Sequence, residues 1–218
     1  MIQHVAADSV RIQFQERVVI SGGFIHAETG KITGLLGRNG NGKSSFLQAI
    51  FGAIPAEFKS VRVNGEWVPD LLSVKGLAAY LPQQAFVPDA FRVKTVFDLY
   101  DTNIQVLQNL MPELKPLSSQ RMDQVSGGER RLIETLLVLF RPVSFVLLDE
   151  PFSFLSPVAV ERLHELLQQE KTRKGIILTD HRYRSITSIS DSLYLLANQR
   201  TYLIQHPDEL IRWGYLHE

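Results

Sequence analysis

One run, Gly37-Arg38-Asn39-Gly40-Asn41-Gly42-Lys43-Ser44, constrains this chain more than any other stretch. It follows the apolar segment Ile32-Thr33-Gly34-Leu35-Leu36 and opens a helical pattern over Ser45 to Ala53. Glycines at 37, 40 and 42 let the backbone turn so that several N–H groups converge on one anion. Lys43 adds a positive charge suited to terminal phosphates, Ser44 a hydroxyl suited to Mg²⁺, and the helix aims its positive end at the same place. Two glycines, a lysine and a hydroxyl residue at this spacing arise by chance in roughly one per cent of chains this long. An ordinary glycine-rich turn is the bland alternative, but placement between a strand and a helix is what a phosphate cradle requires. The stretch predicts a nucleoside triphosphate site.

Such a site needs a sheet behind it, and the patterning supplies one. Val10 to Phe14 alternates apolar and polar, Glu16-Arg17 is a turn, and Val18 to Ile20 is a second strand. After the glycine run, Leu47, Ile50, Phe51 and Ile54 form an apolar helical stripe that Pro55 ends. Asn64-Gly65 turns a hairpin between Val61 to Val63 and Glu66 to Val68, and Leu77 to Leu81 is a buried strand stopping at Pro82-Gln83-Gln84. Further strands are expected at 144–148, 175–178, 193–197 and 201–204, with helices over 129–140 and 158–171, a short one carrying Arg182 and Ile186, and a terminal one from Pro207. Strands alternating with helices predict a parallel sheet covered on both faces, its ligand at the carboxyl ends of the strands.

Between Pro88 and Gln124 the character changes. Val93, Val96, Phe97 and Tyr100 share one helical face, and Ile104, Leu107 and Gln108 continue a second helix that Met111-Pro112 and Lys115-Pro116 interrupt. This reads as a small helical subdomain, 88–124, set into a core of 1–87 and 125–218, the whole of 1–218 being one domain.

Composition narrows the class of function. Lys plus Arg and Asp plus Glu number 23 each, so the formal net charge of zero offers no general attraction to nucleic acid or anionic membrane. With no cysteine, disulfides and thiolate metal sites are excluded, which suits a reducing compartment. Met1 to Asp8 lacks a basic stretch followed by an apolar one, so no signal peptide is expected. Apolar runs such as Leu132 to Phe140 are too short to span a bilayer, so the chain is expected to be soluble by itself. Any membrane work would need another chain to supply the spans.

Two further stretches carry chemistry. Asp149-Glu150 ends an apolar strand, where one carboxylate can hold Mg²⁺ through water and the other can activate a water molecule; a helix cap is the plain alternative. Ser126-Gly127-Gly128-Glu129 opens a helix and reads as a second anion cradle or as a capping box, and both can hold together. A second phosphate cradle is superfluous for one nucleotide unless another molecule completes each site.

Taken in order, the glycine run, Gln83, Ser126 to Glu129, Asp149-Glu150-Pro151 and His181 resemble the nucleotide-binding subunit of ATP-binding-cassette (ABC) transporters, over essentially the whole chain. The resemblance implies an α/β P-loop NTPase of the ABC ATPase type: a mostly parallel sheet, an antiparallel N-terminal part and a short helical insertion. It implies ATP and Mg²⁺ as ligands and an ATPase activity. By resemblance, Phe14 stacks on adenine, in place of the core or edge aromatic that burial statistics alone would favour. Gly37, Arg38, Asn39, Gly40, Asn41, Gly42, Lys43, Ser44 and Ser45 match the phosphate loop. Gln83, rather than Gln84, matches the residue that touches Mg²⁺ and the attacking water. Ser126, Gly127, Gly128 and Glu129 match the signature that binds the γ-phosphate of ATP held by the opposite subunit. Asp149 matches the Mg²⁺-linked acid, Glu150 the general base, and His181 the switch residue that contacts the γ-phosphate and Glu150.

The implied partners are a second cassette, identical or paralogous, packed head to tail, and a separate transmembrane permease; nucleic acid is not expected. The implied location is cytoplasmic, peripheral on the inner face of the membrane, with the helical insertion and the loop at Gln83 forming the groove for a membrane-side helix. A soluble cassette ATPase acting on DNA or the ribosome, or a regulatory nucleotide switch with slow hydrolysis, is the alternative. The first usually brings paired cassettes, a coiled-coil insertion or a basic surface, none of which is evident here.

Three departures from the family pattern stand out. Glu129 replaces the usual Gln, adding negative charge near phosphate and predicting some loss of affinity. Ser156 replaces the acid that usually ends the loop after Pro151, which bears on communication between subunits. The span from Gln83 to Ser126 is short, which points to an unusual or small membrane partner.

Overall fold

The computed structural model describes residues 2–206 and 208–215. Ten strands form one sheet: β1 (His4–Phe14), β2 (Arg17–Glu28), β3 (Ile32–Leu36), β4 (Phe58–Val63), β5 (Glu66–Val68), β6 (Ala78–Leu81), β7 (Phe145–Asp149), β8 (Gly175–Thr179), β9 (Ser192–Ala197) and β10 (Arg200–Ile204). Their spatial order is β5-β4-β1-β2-β10-β9-β3-β8-β7-β6. Strands β9, β3, β8, β7 and β6 run parallel to one another, β10 is antiparallel to β9, and β1, β2, β4 and β5 are joined antiparallel. The halves meet where Arg200 of β10 pairs with Gly22 of β2. The expected α/β architecture, with its antiparallel N-terminal part, is the one observed.

Every residue of β3, β7 and β8 is buried, as parallel strands covered on both faces must be. Their side chains alternate between two apolar clusters. Leu35, Phe145, Leu147 and Ile177 pack with helix α1 (Lys43–Phe51) and the antiparallel strands. Ile32, Leu36, Val146 and Leu148 pack with α4 (Gly127–Leu139) and α5 (Pro157–Glu170). The intervening segment holds α2 (Val93–Leu99), α3 (Ile104–Leu110) and a 3-10 turn at Pro112–Leu117. Val93, Phe97, Leu107 and Leu114 of that segment join the same cluster as Leu132 and Leu136 of α4, so its apolar faces are continuous with the main core. Helices α6 (Tyr183–Thr187) and α7 (Asp208–Arg212) complete the described chain. Pro207, where the last helix was expected to begin, lies outside the described residues.

Two expectations need correction. The first hairpin is far longer than the pattern suggested, because Ser9 at φ 54 and the register shift between Ala7 and Val10 break the period-two alternation that would have disclosed residues 4–9. Helix α1 ends at Phe51, not at Pro55: Gly52 takes the left-handed cap conformation and donates to the Gln48 carbonyl. The Asn64-Gly65 turn is as expected, both residues at positive φ.

Candidate functional site

The strand β3 delivers the chain into the glycine run, and α1 leaves it. Gly42, at φ 97, sits where an added Cβ would lie 2.5 Å from Val19, so both its backbone angle and its neighbour demand glycine. Lys43 folds back inside the run, its ammonium donating to the carbonyl of Gly37 at 2.8 Å and of Arg38 at 3.4 Å. Burial lowers its pKa, opposed by the charges of Glu150, Asp149 and Asp180. A cleft of about 600 Å³ opens over this lysine, lined by Arg17, Val19, Asn39, Gly40, Gly42, Lys43, Ser44, Ser45, Gln83, Glu150 and His181.

The side chains of Arg38 and Asn41 turn away from that cleft to anchor the run. Arg38 donates to the Gly214 carbonyl at 2.5 Å, and Asn41 to the Leu196 carbonyl at 3.0 Å. They border a smaller hollow of about 390 Å³ shared with Trp213 and Tyr215. Gly37 contributes its carbonyl to Lys43 and does not line the larger cleft.

Beneath the cleft, β7 ends in two carboxylates with opposite exposures. Asp149 is fully buried; Tyr80 donates to its Oδ2 at 3.2 Å, while its Oδ1 has no hydrogen-bond partner. Burial raises its pKa, and the nearby hydroxyls of Ser44 and Tyr80 oppose that rise. The same burial, with the charge of Asp149 beside it, pushes the Tyr80 phenol well up. The Ser44 hydroxyl donates to Gln83 Oε1 at 3.5 Å, so Asp149, Ser44 and Gln83 bring oxygen atoms to one corner.

Glu150 has φ 55, a region that costs a non-glycine residue energy and is kept only where the surroundings hold it. Here its N–H donates to the Thr179 carbonyl at 2.7 Å, and its own carbonyl accepts from Arg131 at 3.0 Å. Its carboxylate accepts from Ser153 at 3.1 Å and stands 3.8 Å from His181 Nδ1. His181 also lies 3.3 Å from Asp180 Oδ1. Asp180 is buried and its pKa raised by that burial, although the backbone N–H groups of Phe152 and Arg182 donate to it.

Three residues not singled out in the sequence organise this corner. Arg131, on α4, is 5% exposed and donates to the carbonyls of Pro82 (2.7 Å), Glu150 (3.0 Å) and Asp149. Desolvation lowers its pKa, opposed by the surrounding carboxylates. Glu134, one turn on, accepts from the N–H groups of Phe86 and Val87 at 3.1 and 3.2 Å. Tyr80 is the third. A buried arginine or glutamate in an apolar helix was the available signal, since such a charge demands partners.

Two sets of expected residues stand apart. Phe14 is 49% exposed at the tip of the first hairpin, paired with Arg17, and does not line the cleft, whereas Arg17 does. Ser126, Gly127, Gly128 and Glu129 do not line it either. They open α4 with a full capping box: Glu129 N–H donates to Ser126 Oγ at 3.3 Å, and Ser126 N–H to Glu129 Oε2 at 2.7 Å. The extra negative charge of Glu129 is thus turned back on its own helix terminus. Ser156 likewise caps α5, accepting from Ala159 N–H at 3.2 Å, a role the usual acid would fill equally well.

The chain is similar to known proteins. The family model described as ABC transporter matches residues 25–153. An uncharacterised ABC transporter ATP-binding protein of Rhizobium meliloti is 29% identical over 197 residues, 84% of this chain and 73% of that protein. The lipopolysaccharide export system ATP-binding protein LptB of Escherichia coli K12 is 26% identical over 229 residues, 95% of this chain and 92% of LptB. Among solved structures, an ATP-binding subunit of an ABC transporter superposes with a TM-score of 0.80 at 20% identity, covering 96% of this chain and 93% of the other. A bacterial Atm1-family ABC exporter with ATP bound gives 0.84 at 16% identity, covering 99% of this chain and 41% of the exporter chain.

Proposed function

The chain belongs to the ABC transporter family as an ATP-binding subunit and ATPase, and from that premise we propose that two cassettes close head to tail around ATP to drive a separate transmembrane permease. The carrying observation is the cleft that gathers Lys43, Ser44, Gln83, Glu150 and His181 while Ser126 to Glu129, the second anion cradle, stays outside it. A cradle on the 13-residue α4 with no phosphate of its own chain to serve is explained if it serves a partner's. Phe14, exposed at a hairpin tip, is left free to meet a base at the mouth.

In this reading the N–H groups of the glycine run and Lys43 hold the phosphates, and Glu150 takes the proton of the attacking water while His181 orients that carboxylate. The donor set at the buried corner fits Mg²⁺, because Asp149 Oδ1 is a buried oxygen without a partner and Ser44 and Gln83 add only oxygen atoms. When bound there, Mg²⁺ would neutralise phosphate charge as the terminal phosphoryl group leaves.

Gln83 lies on the segment that α4 grips through Arg131 and Glu134, so closure of the cassettes can reach the surface beside it. There an apolar groove of about 600 Å³, lined by Phe51, Tyr80, Phe86, Leu99 and Tyr100 among others, suits a helix of the permease. Among the described residues no helix is long and apolar enough to cross a membrane. In the proposed arrangement a separate permease supplies the spans and this chain sits on the inner membrane face.

Glu150→Gln tests the proposal. Hydrolysis is expected to fall by about 100-fold or more while ATP still binds, trapping a dimer on gel filtration in ATP but not ADP. Normal turnover in this variant would remove Glu150 as the base; a monomer in ATP would remove the shared site. In a chain otherwise unaltered, Leu99→Arg is expected to end co-purification with a multispanning protein and to leave ATP binding intact.

A further inference from the structure

At the far end of the β1–β2 hairpin from the nucleotide cleft, three ligand-type side chains share one face of the sheet. His4 pairs with Glu28 and Ala6 with His26 across the ladder. Val5, Ala7, Ile25 and Ala27 point into the core, so by alternation His4, His26 and Glu28 face the other way. One ligand atom from each lies within 4.8 Å of the others. Ala6, opposite His26, presents only a methyl group between them.

The carboxylate of Glu28 is divided between two neighbours. Its Oε1 pairs with Lys31, while Oε2 stands 3.4 Å from His4 Nδ1. The two imidazole rings lie 5.6 Å apart between centroids, inclined by 25°. A surface ion pair accounts for His4 and Glu28 alone; it gives no reason for a second imidazole stacked on the first.

We propose that His4, His26 and Glu28 form a binding site for a divalent transition-metal ion of the zinc type, with water as the fourth ligand. Two imidazoles and one carboxylate oxygen are the donor set that borderline ions such as Zn²⁺ take, and without cysteine the chain offers no competing thiolate. Tetrahedral coordination places ligand atoms about 3.3 Å apart, a spacing His4 and Glu28 already have, so His26 moves in by up to about 1.5 Å. Lys31 on the other carboxylate oxygen becomes the outer partner that orients the ligand. The site is separate from the ATPase centre, since Arg17 at the cleft and His26 are roughly 30 Å apart along β2. The His4–Glu28 pair ends the β1–β2 ladder, and a bound ion there staples the start of β1 to the end of β2.

The test uses the full chain, stripped by chelator and freed of nucleotide, titrated with Zn²⁺ alone by calorimetry. Because His181 stands beside Glu150 and Asp180 and can also attract Zn²⁺, His181→Gln is titrated in parallel. One equivalent should bind in wild type and in His181→Gln, and its affinity should drop at least about 100-fold in His4→Gln and in His26→Gln. Zn²⁺ should raise the unfolding temperature of wild type and not of His26→Gln, whose unchanged ATPase rate shows that it folds. Co²⁺ in place of Zn²⁺ should give the intense visible absorption of a tetrahedral site. A wild type that takes up no Zn²⁺, isotherms unaltered by either histidine substitution, or weak octahedral-type Co²⁺ absorption overturns the proposal.

Discussion

Arg131→Met probes whether one buried guanidinium joins the end of β7 at Glu150 to the loop at Gln83. Methionine fills much the same stem volume but donates nothing. The carbonyls of Pro82, Asp149 and Glu150 then lose their donor; the one at Asp149 is buried and the other two partly so, and a buried acceptor left unpaired costs about 1–3 kcal/mol. The gross loss is therefore at most about 3–9 kcal/mol, and no longer having to desolvate a guanidinium returns several of these. The net expectation is a loss of about 2–4 kcal/mol, which for a chain of this size lowers the unfolding temperature by about 5–15 °C.

A second effect separates positioning from mere stability. Glu150 keeps its φ of 55 partly because Arg131 holds its carbonyl, so the carboxylate should drift when that hold goes. At a temperature well below both transitions, kcat should fall by about 10-fold or more with KM for ATP little changed. Arg131→Lys keeps the charge but has one point donor for carbonyls on two segments, and should fall between. Thermal unfolding by circular dichroism and steady-state phosphate release read the two effects. A methionine variant within about 1 kcal/mol of wild type and with unchanged kcat would refute the clamp.

Asp149→Asn should stabilise the chain in EDTA without nucleotide while abolishing Mg²⁺-dependent hydrolysis. Burial raises the Asp149 pKa above its ordinary 3.8, so at higher pH the folded state must hold an unfavourable charge. That penalty is fully present above the raised native pKa and vanishes as the pH falls through it to the unfolded value; the variant's gain in unfolding temperature should follow the same course. A gain independent of pH would assign the effect to packing. Glu129→Gln keeps an oxygen for the Ser126 N–H, so stability should change by less than about 1 kcal/mol. Its KM for ATP should fall as a negative charge leaves the second cradle, and an unaltered KM would show that the capping box already neutralises that charge.

Much of the cleft was legible in the sequence because its backbone demands rare residues in a fixed order. Lys43, Ser44, Gln83, Glu150 and His181 come from four separate stretches, each ending a strand or opening a helix, and the sheet brings those ends together. Less was legible where a side chain works through backbone atoms far away in sequence. Arg131 and Glu134 lie in a run of apolar residues, and their acceptors and donors at 82, 86, 87, 149 and 150 bear no mark in the sequence of being carbonyls or N–H groups that need a partner. Arg38 and Asn41 went the other way: expected at the phosphates by position in the run, they spend their side chains on Gly214 and Leu196.

The fold class, the glycine turn before α1 and the pair of carboxylates at the end of β7 were readable from the chain, since periodicity, glycines and local charge are properties of neighbouring residues. The length of the first hairpin was not readable, because the bulge at Ser9 reverses the alternation that marks a strand. Within that hairpin, a Cβ added at Gly23 would lie 2.5 Å from the Phe46 ring, so glycine there is what lets α1 pack on β2. Only the folded sheet shows which carboxylate oxygen is buried without a partner, which arginine holds the turn at Glu150, and that Ser126 to Glu129 stand outside the cleft over Lys43. Burial and long-range hydrogen bonding depend on elements that meet only when the sheet closes, and no local pattern encodes which ones those will be.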